Sequence, residues 1–203
     1  MSQEEQVIEQ NKELIEKYPF LFPRNVWTDK EIEGYDYSWT LYDEIPIGWR
    51  IAFGEMLLED LKESLVKYNC LEEFRFSQIK EKYGQLCLYN FGAPEETHDI
   101  IRDYEVISQY VCIHCGSPYA CIVNDYGWYL PACKCCWDKQ QKKRENDGLN
   151  TISYEMVKSD VCEIPNTYSY KYYSGDEVKE VTVDISDKVK KIKDIWNMKY
   201  KEG

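Results

Sequence analysis

Six of the nine cysteines lie between residues 112 and 136, in a pattern typical of a metal site. Cys112-Ile-His-Cys115 and Cys133-Lys-Cys-Cys136 are two CxxC pairs separated by 17 residues. A CxxC turn brings two thiolates to one tetrahedral ion, each about 2.3 Å from it. Gly116 directly follows the first pair and suits the tight turn there. The spacing falls within the zinc-ribbon range and predicts a structural zinc ion held by Cys112, Cys115, Cys133 and Cys136.

Other ligand sets and other uses of these cysteines stay open at this point. Cys135 can replace Cys133 or Cys136, although it breaks the two-residue gap, and His114 can join only if one of the paired cysteines gives way. The cysteines can also be buried, reduced residues without a metal. A thioredoxin-like pair requires a CxxC where a strand meets a helix, whereas Cys112 follows a predicted helix.

The predicted metal has a structural rather than a catalytic role. Four thiolates close the coordination sphere and leave no position for a reactive water. A zinc deaminase needs a His-x-Glu or Cys-x-Glu arm before its second cysteine pair, and no such triplet precedes Cys133. His98 and His114 are the only histidines, and no nucleophile–base pair is visible. We therefore predict that the chain is not an enzyme.

Cysteine count and composition indicate where the chain works. Nine cysteines are an odd number, and the first residues, MSQEEQVIEQ, are acidic and polar rather than basic and then apolar. These features favour a reducing cytosol and a metal site over a secretory signal and a disulfide framework. No apolar stretch approaches the roughly 20 residues of a membrane helix. We expect no membrane segment.

Net charge argues against general binding to phosphate backbones. The chain has 37 acidic and 25 basic residues, a net charge of −12. Residues 1–110 contain 23 acidic and 11 basic residues, and therefore carry a net charge of −12 themselves. Direct nucleic-acid binding is disfavoured, because Lys and Arg supply that affinity. The basic run of Lys139, Lys142, Lys143 and Arg144 can touch nucleic acid, but we favour a solvated helix face.

Hydrophobic periodicity predicts an α+β fold, with helices packed on small antiparallel sheets and a zinc-ribbon-like segment with four cysteine ligands. We expect an acidic α+β region at 1–110, a ribbon with a short helix at 111–148, and a hairpin plus helix at 149–203, packed as one unit. The predicted helices lie at about 3–17, 49–69, from 92–96 onward, 137–144 and from 187. The predicted strands lie at 74–76, 86–89, 151–158, 167–173 and 178–185.

The segment 27–44, here called the acidic–aromatic segment, is a candidate partner surface. Trp and Tyr dominate the residues that contribute most to protein interfaces. We expect at least half of its aromatic rings to pack in the core. The candidate binding residues are Asp29, Glu31, Glu33, Asp36, Asp43 and Glu44.

Three sequence blocks resemble a family of small zinc-ribbon proteins of phages and prophages. They are the run from Gly48-Trp49-Arg50 to Glu59-Asp60, the run Gln78-Ile-Lys-Glu-Lys-Tyr-Gly84, and Gly92-Ala-Pro-Glu95. In that family such blocks precede a CxxCG pair, a Gly-Trp pair and a second CxxC, here Cys112–Gly116, Gly127-Trp128 and Cys133–Cys136. The resemblance covers about residues 45–138, and Cys121 and Cys135 depart from the family pattern. Most members have no assigned activity.

The resemblance and the charge asymmetry together suggest an inhibitor of host defence. The chain is similar to the type II anti-CRISPR proteins, which bind the RNA-guided effector nuclease of the bacterial host. That nuclease holds nucleic acid in positively charged channels, and an acidic face is electrostatically suited to them. We expect a protein-binding inhibitor in the host cytoplasm. The alternative is a nucleic-acid-associated accessory protein that uses the ribbon and the basic run.

Overall fold

The computed structural model describes residues 2–25, 27–157, 162–174 and 177–200. The helices are α1 (Gln3–Lys17), α2 (Ile47–Trp49), α3 (Glu55–Lys67), α4 (Glu95–Ser108), α5 (Lys134–Asn146) and α6 (Ser186–Tyr200). The strands are β1 (Arg75–Lys82), β2 (Gln85–Phe91), β3 (Cys121–Asp125), β4 (Trp128–Ala132), β5 (Thr167–Ser174) and β6 (Glu177–Asp184). They form three antiparallel hairpins, β1–β2, β3–β4 and β5–β6, each a two-stranded sheet. The predicted α+β class is confirmed.

Local sequence sets both ends of α1. Ser2 and Glu5 form the capping box, in which each side chain accepts the backbone amide of the other residue, at 3.2 and 2.7 Å. Tyr18 caps the far end, and Pro19 follows it. The helix has the predicted bounds, since these signals lie within a few residues of its two ends.

The main core forms where α3 and α4 pack together and against the first hairpin and α6. Leu57, Leu61 and Leu65 recur every four residues on α3, and each is at most 1% exposed. They join a single buried cluster that also takes side chains from β1, β2, α4 and α6. The ribbon has two smaller clusters of buried residues, one around Cys112 and one around Trp137.

The helix predicted over 49–69 starts earlier and is not regular. It begins as α2, continues as a π-helical stretch over Arg50–Gly54, and becomes α3 at Glu55. The wide turn lies where Gly54 faces the Tyr42 ring, and a Cβ at position 54 would meet the Tyr42 hydroxyl. Close packing against residues before the helix therefore coincides with the π stretch.

The hairpin β3–β4 was not predicted, and the strand predicted over 151–158 is wrong. Residues 151–157 are irregular apart from one bridge between Met156 and Val123, while position 158 lies outside the described residues. Periodicity missed β3 and β4 because they are only five residues long and β4 contains Pro131. Their Tyr126-Gly127 turn is also not one of the common hairpin dipeptides.

An ionic network fastens α6 and β5 to the main core. Lys188 on α6 lies 3.4 Å from an Asp60 carboxylate oxygen on α3 and 3.2 Å from one of Asp103 on α4. The hydroxyls of Tyr104 and Tyr168 donate to Asp60 and Asp103, each at 2.8 Å. Asp103 is 7% exposed, so these bonds satisfy a charge that would otherwise be costly to bury.

Candidate metal centre

The structure brings the four predicted cysteines together. The sulfurs of Cys112, Cys115, Cys133 and Cys136 all lie within 4.8 Å of one another. The Cys115 and Cys133 sulfurs are 3.7 Å apart. Four sulfurs placed tetrahedrally about 2.3 Å from one ion would be separated by about 3.8 Å. The donor set and its spacing therefore fit a metal ion with tetrahedral thiolate coordination.

The first cysteine pair lies on a turn just after α4. The Cys112 amide donates to the Ser117 carbonyl at 2.8 Å, and the Gly116 amide donates to the Cys112 carbonyl at 2.9 Å. Gly116 has φ +80°, in the left-handed region where a side chain is costly. The turn therefore depends on the glycine that follows the pair.

The second cysteine pair begins α5. Cys133 is the N-cap residue, and its sulfur accepts the Cys136 amide at 3.5 Å. The Ile113 amide donates to the Pro131 carbonyl at 2.9 Å and so holds β4 beside the first pair. The two pairs thus meet at a helix N-terminus.

Without a cation, the cluster favours ionisation of Cys112 and opposes that of Cys115 and Cys136. Hydrogen bonds from the Cys115 and Cys133 thiols lower the pKa of Cys112 well below its ordinary value of 9.0. The same bond to Cys112 raises the pKa of Cys115, since its thiol acts as the donor. Burial, followed by the charge of Cys112, raises the pKa of Cys136 to about 12. A bound divalent cation would balance the further thiolates that the protein alone disfavours.

The remaining candidate ligands lie outside the group. His114 and Cys135 are exposed and do not belong to the sulfur cluster, so the alternatives that used them receive no support from the geometry. Within the described residues, this cluster is the one group of three or more potential ligands whose donor atoms converge. Four cysteine ligands to one ion would complete a tetrahedral site and leave no ligand position for water.

Cys121 and Cys162 form a disulfide, and the other seven cysteines are free. The cysteine count and the N-terminal sequence argued against a disulfide framework and did not indicate this single pair. Its two Cα atoms are 4.8 Å apart, although 41 residues separate them along the chain. No motif predicts this bond, because Cys162 lies in no recognisable pattern and β3, which carries Cys121, was not predicted.

A glycine contact joins the first cysteine pair to the main core. The Gly48 amide donates to the Ile113 carbonyl at 2.9 Å. A Cβ added at Gly48 would collide with the backbone carbonyl of Cys112, and one at Gly116 would lie 2.7 Å from the Gly48 carbonyl oxygen. The buried Trp49 indole donates to the Val111 carbonyl at 2.9 Å. Sequence reasoning did not assign Gly48 a role at the metal site.

No protein family, curated protein or solved structure matches this chain. Each helix in the described ranges is too short or too polar to cross a bilayer.

The six acidic candidate residues are all exposed and lie outside the metal centre. Asp43 pairs with the Arg50 guanidinium at 2.8 Å, and the Ser38 hydroxyl and amide lower the pKa of Asp36. The carboxylates of the other four have no hydrogen-bond or ion-pair partner among the described residues. These four are Asp29, Glu31, Glu33 and Glu44.

The aromatic rings of this segment pack mainly on one another. Tyr35 contacts Tyr37 and Trp39 with centroid distances of 4.8 and 6.1 Å, and Trp27 is 94% exposed. Only Tyr42 packs against the main core. The expectation that at least half of these rings enter the core is therefore wrong, since the segment builds a local aromatic cluster instead.

The basic run lies on α5, as a mostly solvated face. Lys139, Lys142 and Lys143 are exposed. Arg144 points inward, where its guanidinium lies 3.1 Å from an Asp125 carboxylate oxygen and 4.7 Å from the centroid of the Tyr126 ring. This residue holds α5 against β3 and is not free to contact a phosphate.

Proposed function

We propose that the chain is a zinc-stabilised protein-binding module and not an enzyme. In this proposal the four-cysteine site binds one zinc ion, which fixes the ribbon. The acidic–aromatic segment binds a partner protein that presents a basic surface. The observation that carries the binding part is that one segment holds both the nearly fully exposed Trp27 and four carboxylates without partners among the described residues.

Zinc is the metal that best suits this donor set. Four thiolates in tetrahedral arrangement are typical of zinc and of iron–sulfur sites, and the two-pair spacing is that of zinc ribbons. A buried four-thiolate zinc site contributes folding free energy to a segment that has little apolar core of its own. Only three fully or nearly buried residues, Cys112, Ala120 and Cys133, form the cluster at this site.

The acidic–aromatic segment has the features of a binding surface. Carboxylates without partners produce a negative field that speeds and orients encounter with a basic protein. An exposed tryptophan supplies apolar contact area of the kind that dominates interface energetics. The local aromatic cluster holds this surface in one arrangement, which lowers the entropy lost on binding.

The proposed partner is the type II RNA-guided effector nuclease of a bacterial host. This choice is supported by the sequence resemblance to phage proteins and by the acidic charge, which suits a channel built to hold nucleic acid. On this proposal the protein is phage-encoded, acts in the host cytoplasm, and inhibits by occupying the channel.

The test is co-elution of the purified chain with such a nuclease, with and without guide RNA, beside a target-DNA cleavage assay. We expect a stable complex and loss of cleavage. The double variant Glu31→Lys/Glu33→Lys should weaken the complex at least tenfold, because two attractive charges become repulsive.

The matched control is Glu13→Lys/Glu16→Lys, which makes the same charge change on the exposed face of α1. It should change affinity less than threefold if the acidic–aromatic segment is the contact. Equal losses from both double variants would show that net charge alone is sensed. Absence of a complex would exclude this nuclease as the partner.

A further inference from the structure

One face of the first hairpin carries no acidic side chain, although the chain has a net charge of −12. The register pairs Gln78 with Tyr89, Lys80 with Cys87, and Lys82 with Gln85. Cross-strand partners share a face, and residues two apart on a strand share it as well. This lysine–aromatic face, defined by these six residues, is therefore neutral or positive at each of the six positions.

Its lysines lie against exposed aromatic rings. The Lys80 ammonium is 5.0 Å from the centroid of the Tyr89 ring, and the Lys82 ammonium is 5.7 Å from that of Tyr83. Tyr89 and Tyr83 are 42% and 71% exposed. Neither lysine has a carboxylate partner in the part of the chain that the structure describes. Aromatic surface and uncompensated positive charge thus occur together.

The face ends in a cleft between two hairpin turns. Lys82 and Tyr83 of the first turn and Trp128 and Tyr129 of the second line a cleft of about 370 Å³. Trp128 is 73% exposed. The one acidic residue of this cleft, Glu81, accepts the Gly84 amide at 2.6 Å and is engaged within its own turn.

The backbone at Tyr83 is strained. Its φ is +52°, a region that costs a bulky residue roughly 1–2 kcal/mol and that asparagine or glycine adopts more cheaply. Tyr126 has the same φ in the second turn, but its hydroxyl donates to the Asn150 carbonyl at 2.8 Å and its ring receives Arg144. The Tyr83 hydroxyl has no hydrogen-bond partner among the described residues. Backbone strain of this kind concentrates at functional sites.

We propose that the lysine–aromatic face and its cleft bind single-stranded nucleic acid. A base stacks on Tyr83 and Trp128 at the cleft, and Lys80 and Lys82 face the phosphates of the adjoining nucleotides. Interleaved rings and cations on a strand surface are the arrangement that binds unpaired strands, because every base offers a stacking face. A duplex keeps its bases stacked internally and cannot use the rings. This activity is separate from the proposed protein contact and uses other residues.

The test measures fluorescence anisotropy of labelled oligothymidylate, and of a DNA duplex of equal length, with the zinc-loaded full chain at low salt. We expect binding to the single strand and at least fivefold weaker binding to the duplex. Two lysine–phosphate contacts predict a slope of about −1.4 in log affinity against log salt. Trp128→Ala should weaken binding about tenfold, the usual range for a lost stacking partner.

Two variants separate binding from folding. Tyr83→Asn should raise the melting temperature, since Asn-Gly suits this turn, and yet weaken oligothymidylate binding about tenfold. Tyr173→Ala removes a ring that is 82% exposed from the β5–β6 hairpin and should leave affinity unchanged within twofold.

A second pair of variants distinguishes loss of the binding site from a change in the overall charge of the protein. Lys80→Glu/Lys82→Glu should abolish detectable binding, whereas Lys142→Glu/Lys143→Glu on α5 should weaken it less than threefold. Equal effects of the two double variants, equal affinity for the duplex, or no binding of oligothymidylate at low salt would each overturn the proposal. Binding of a proline-rich peptide to this face, without binding of oligothymidylate, would also overturn the proposal.

Discussion

Cys133 and Cys135 show how one position along a helix decides which sulfur joins the metal centre. Cys133 caps α5 and is 8% exposed, so its sulfur faces the other three. Cys135 lies two residues later in the first turn and is exposed. Residues two apart on a helix point in different directions. The spacing of CxxC pairs therefore carries real geometric information, and it identified the four cysteines from sequence alone.

Replacing single cysteines tests the metal centre. Cys133→Ser should reduce bound zinc from about one ion per chain to a small fraction, because three thiolates hold the ion far less tightly. Elemental analysis of freshly purified, reduced protein measures this directly. Cys135→Ser is the matched control and should keep its zinc. A wild-type protein without zinc, or a Cys135→Ser variant that loses it, would contradict the assignment.

Glu105 makes stability depend on pH in a particular direction. Its carboxylate accepts the Leu88 amide at 2.9 Å, yet burial raises its pKa above the ordinary 4.5. The folded chain therefore binds this proton more tightly than the unfolded chain does. Its contribution to stability is complete below the unfolded pKa and is lost as pH rises through the folded value.

Glu105→Gln should remove this dependence, because glutamine can accept the same amide without a charge. We expect the variant to melt at a higher temperature than the wild type at pH 7, with the difference shrinking toward about pH 4. Melting curves across that range provide the measurement. Parallel curves for the two proteins would mean that Glu105 does not titrate in the folded state as described.

The contact between α2 and the first cysteine pair links the ribbon to the main core at the scale of whole elements. Gly48 belongs to α2, and its backbone lies directly against the carbonyl groups of Cys112 and Ile113. These neighbours are backbone atoms, which cannot rotate away from an added methyl group. The approach of the two elements therefore requires a residue without a side chain at position 48.

Gly48→Ala should destabilise the protein by about 3 kcal/mol, through overpacking against fixed backbone. The direction of the stability change identifies overpacking, because alanine ordinarily stabilises a helix relative to glycine by up to about 1 kcal/mol. Urea denaturation measures the change. Gly54→Ala is the comparison and should cost less, since its new methyl group meets the Tyr42 side chain, which can shift. A Gly48→Ala variant as stable as the wild type would contradict the contact.

Elements were predictable where short-range signals define them. The capping box and Pro19 fix α1, and the leucine repeat fixes α3. The hairpin β3–β4 was not predictable in this way, because its strands are short and its buried residues Val123 and Ala132 pack against Trp137 of α5, which is distant from β3 in sequence. The π-helical stretch coincides with close packing against Tyr42, which lies outside the helix and leaves no short-range signal in it.

The Lys188 network is the main polar link between distant parts of the whole molecule. The network joins α3, α4 and α6 through the carboxylates of Asp60 and Asp103, and the Tyr168 hydroxyl connects β5 to Asp103. Burial is the main cause that raises the pKa of Tyr168 well above its ordinary value of 10.0, and the hydrogen bond to the Asp103 carboxylate raises it further. The hydroxyl therefore remains protonated and continues to donate to Asp103.

Lys188→Met should lower the free energy of unfolding by about 2 kcal/mol, because it leaves partly buried carboxylates without their cation. The control is Lys193→Met, which breaks an ion pair with the exposed Glu163 and should cost less than about 1 kcal/mol. Chemical denaturation of both variants gives the comparison. Equal costs would show that the network does not fasten α6.

The packing of α6 has a consequence for how the chain is made. Val189 and Ile192 complete a core whose other members begin at Tyr18, so this core cannot close until α6 has left the ribosome. The four cysteines emerge earlier, by residue 136. During synthesis the four-cysteine cluster can therefore assemble while the apolar faces of α3 and α4 are still open to chaperones. On the proposed function, a shortage of zinc in the cell would then reduce the yield of folded protein before it altered the finished molecule.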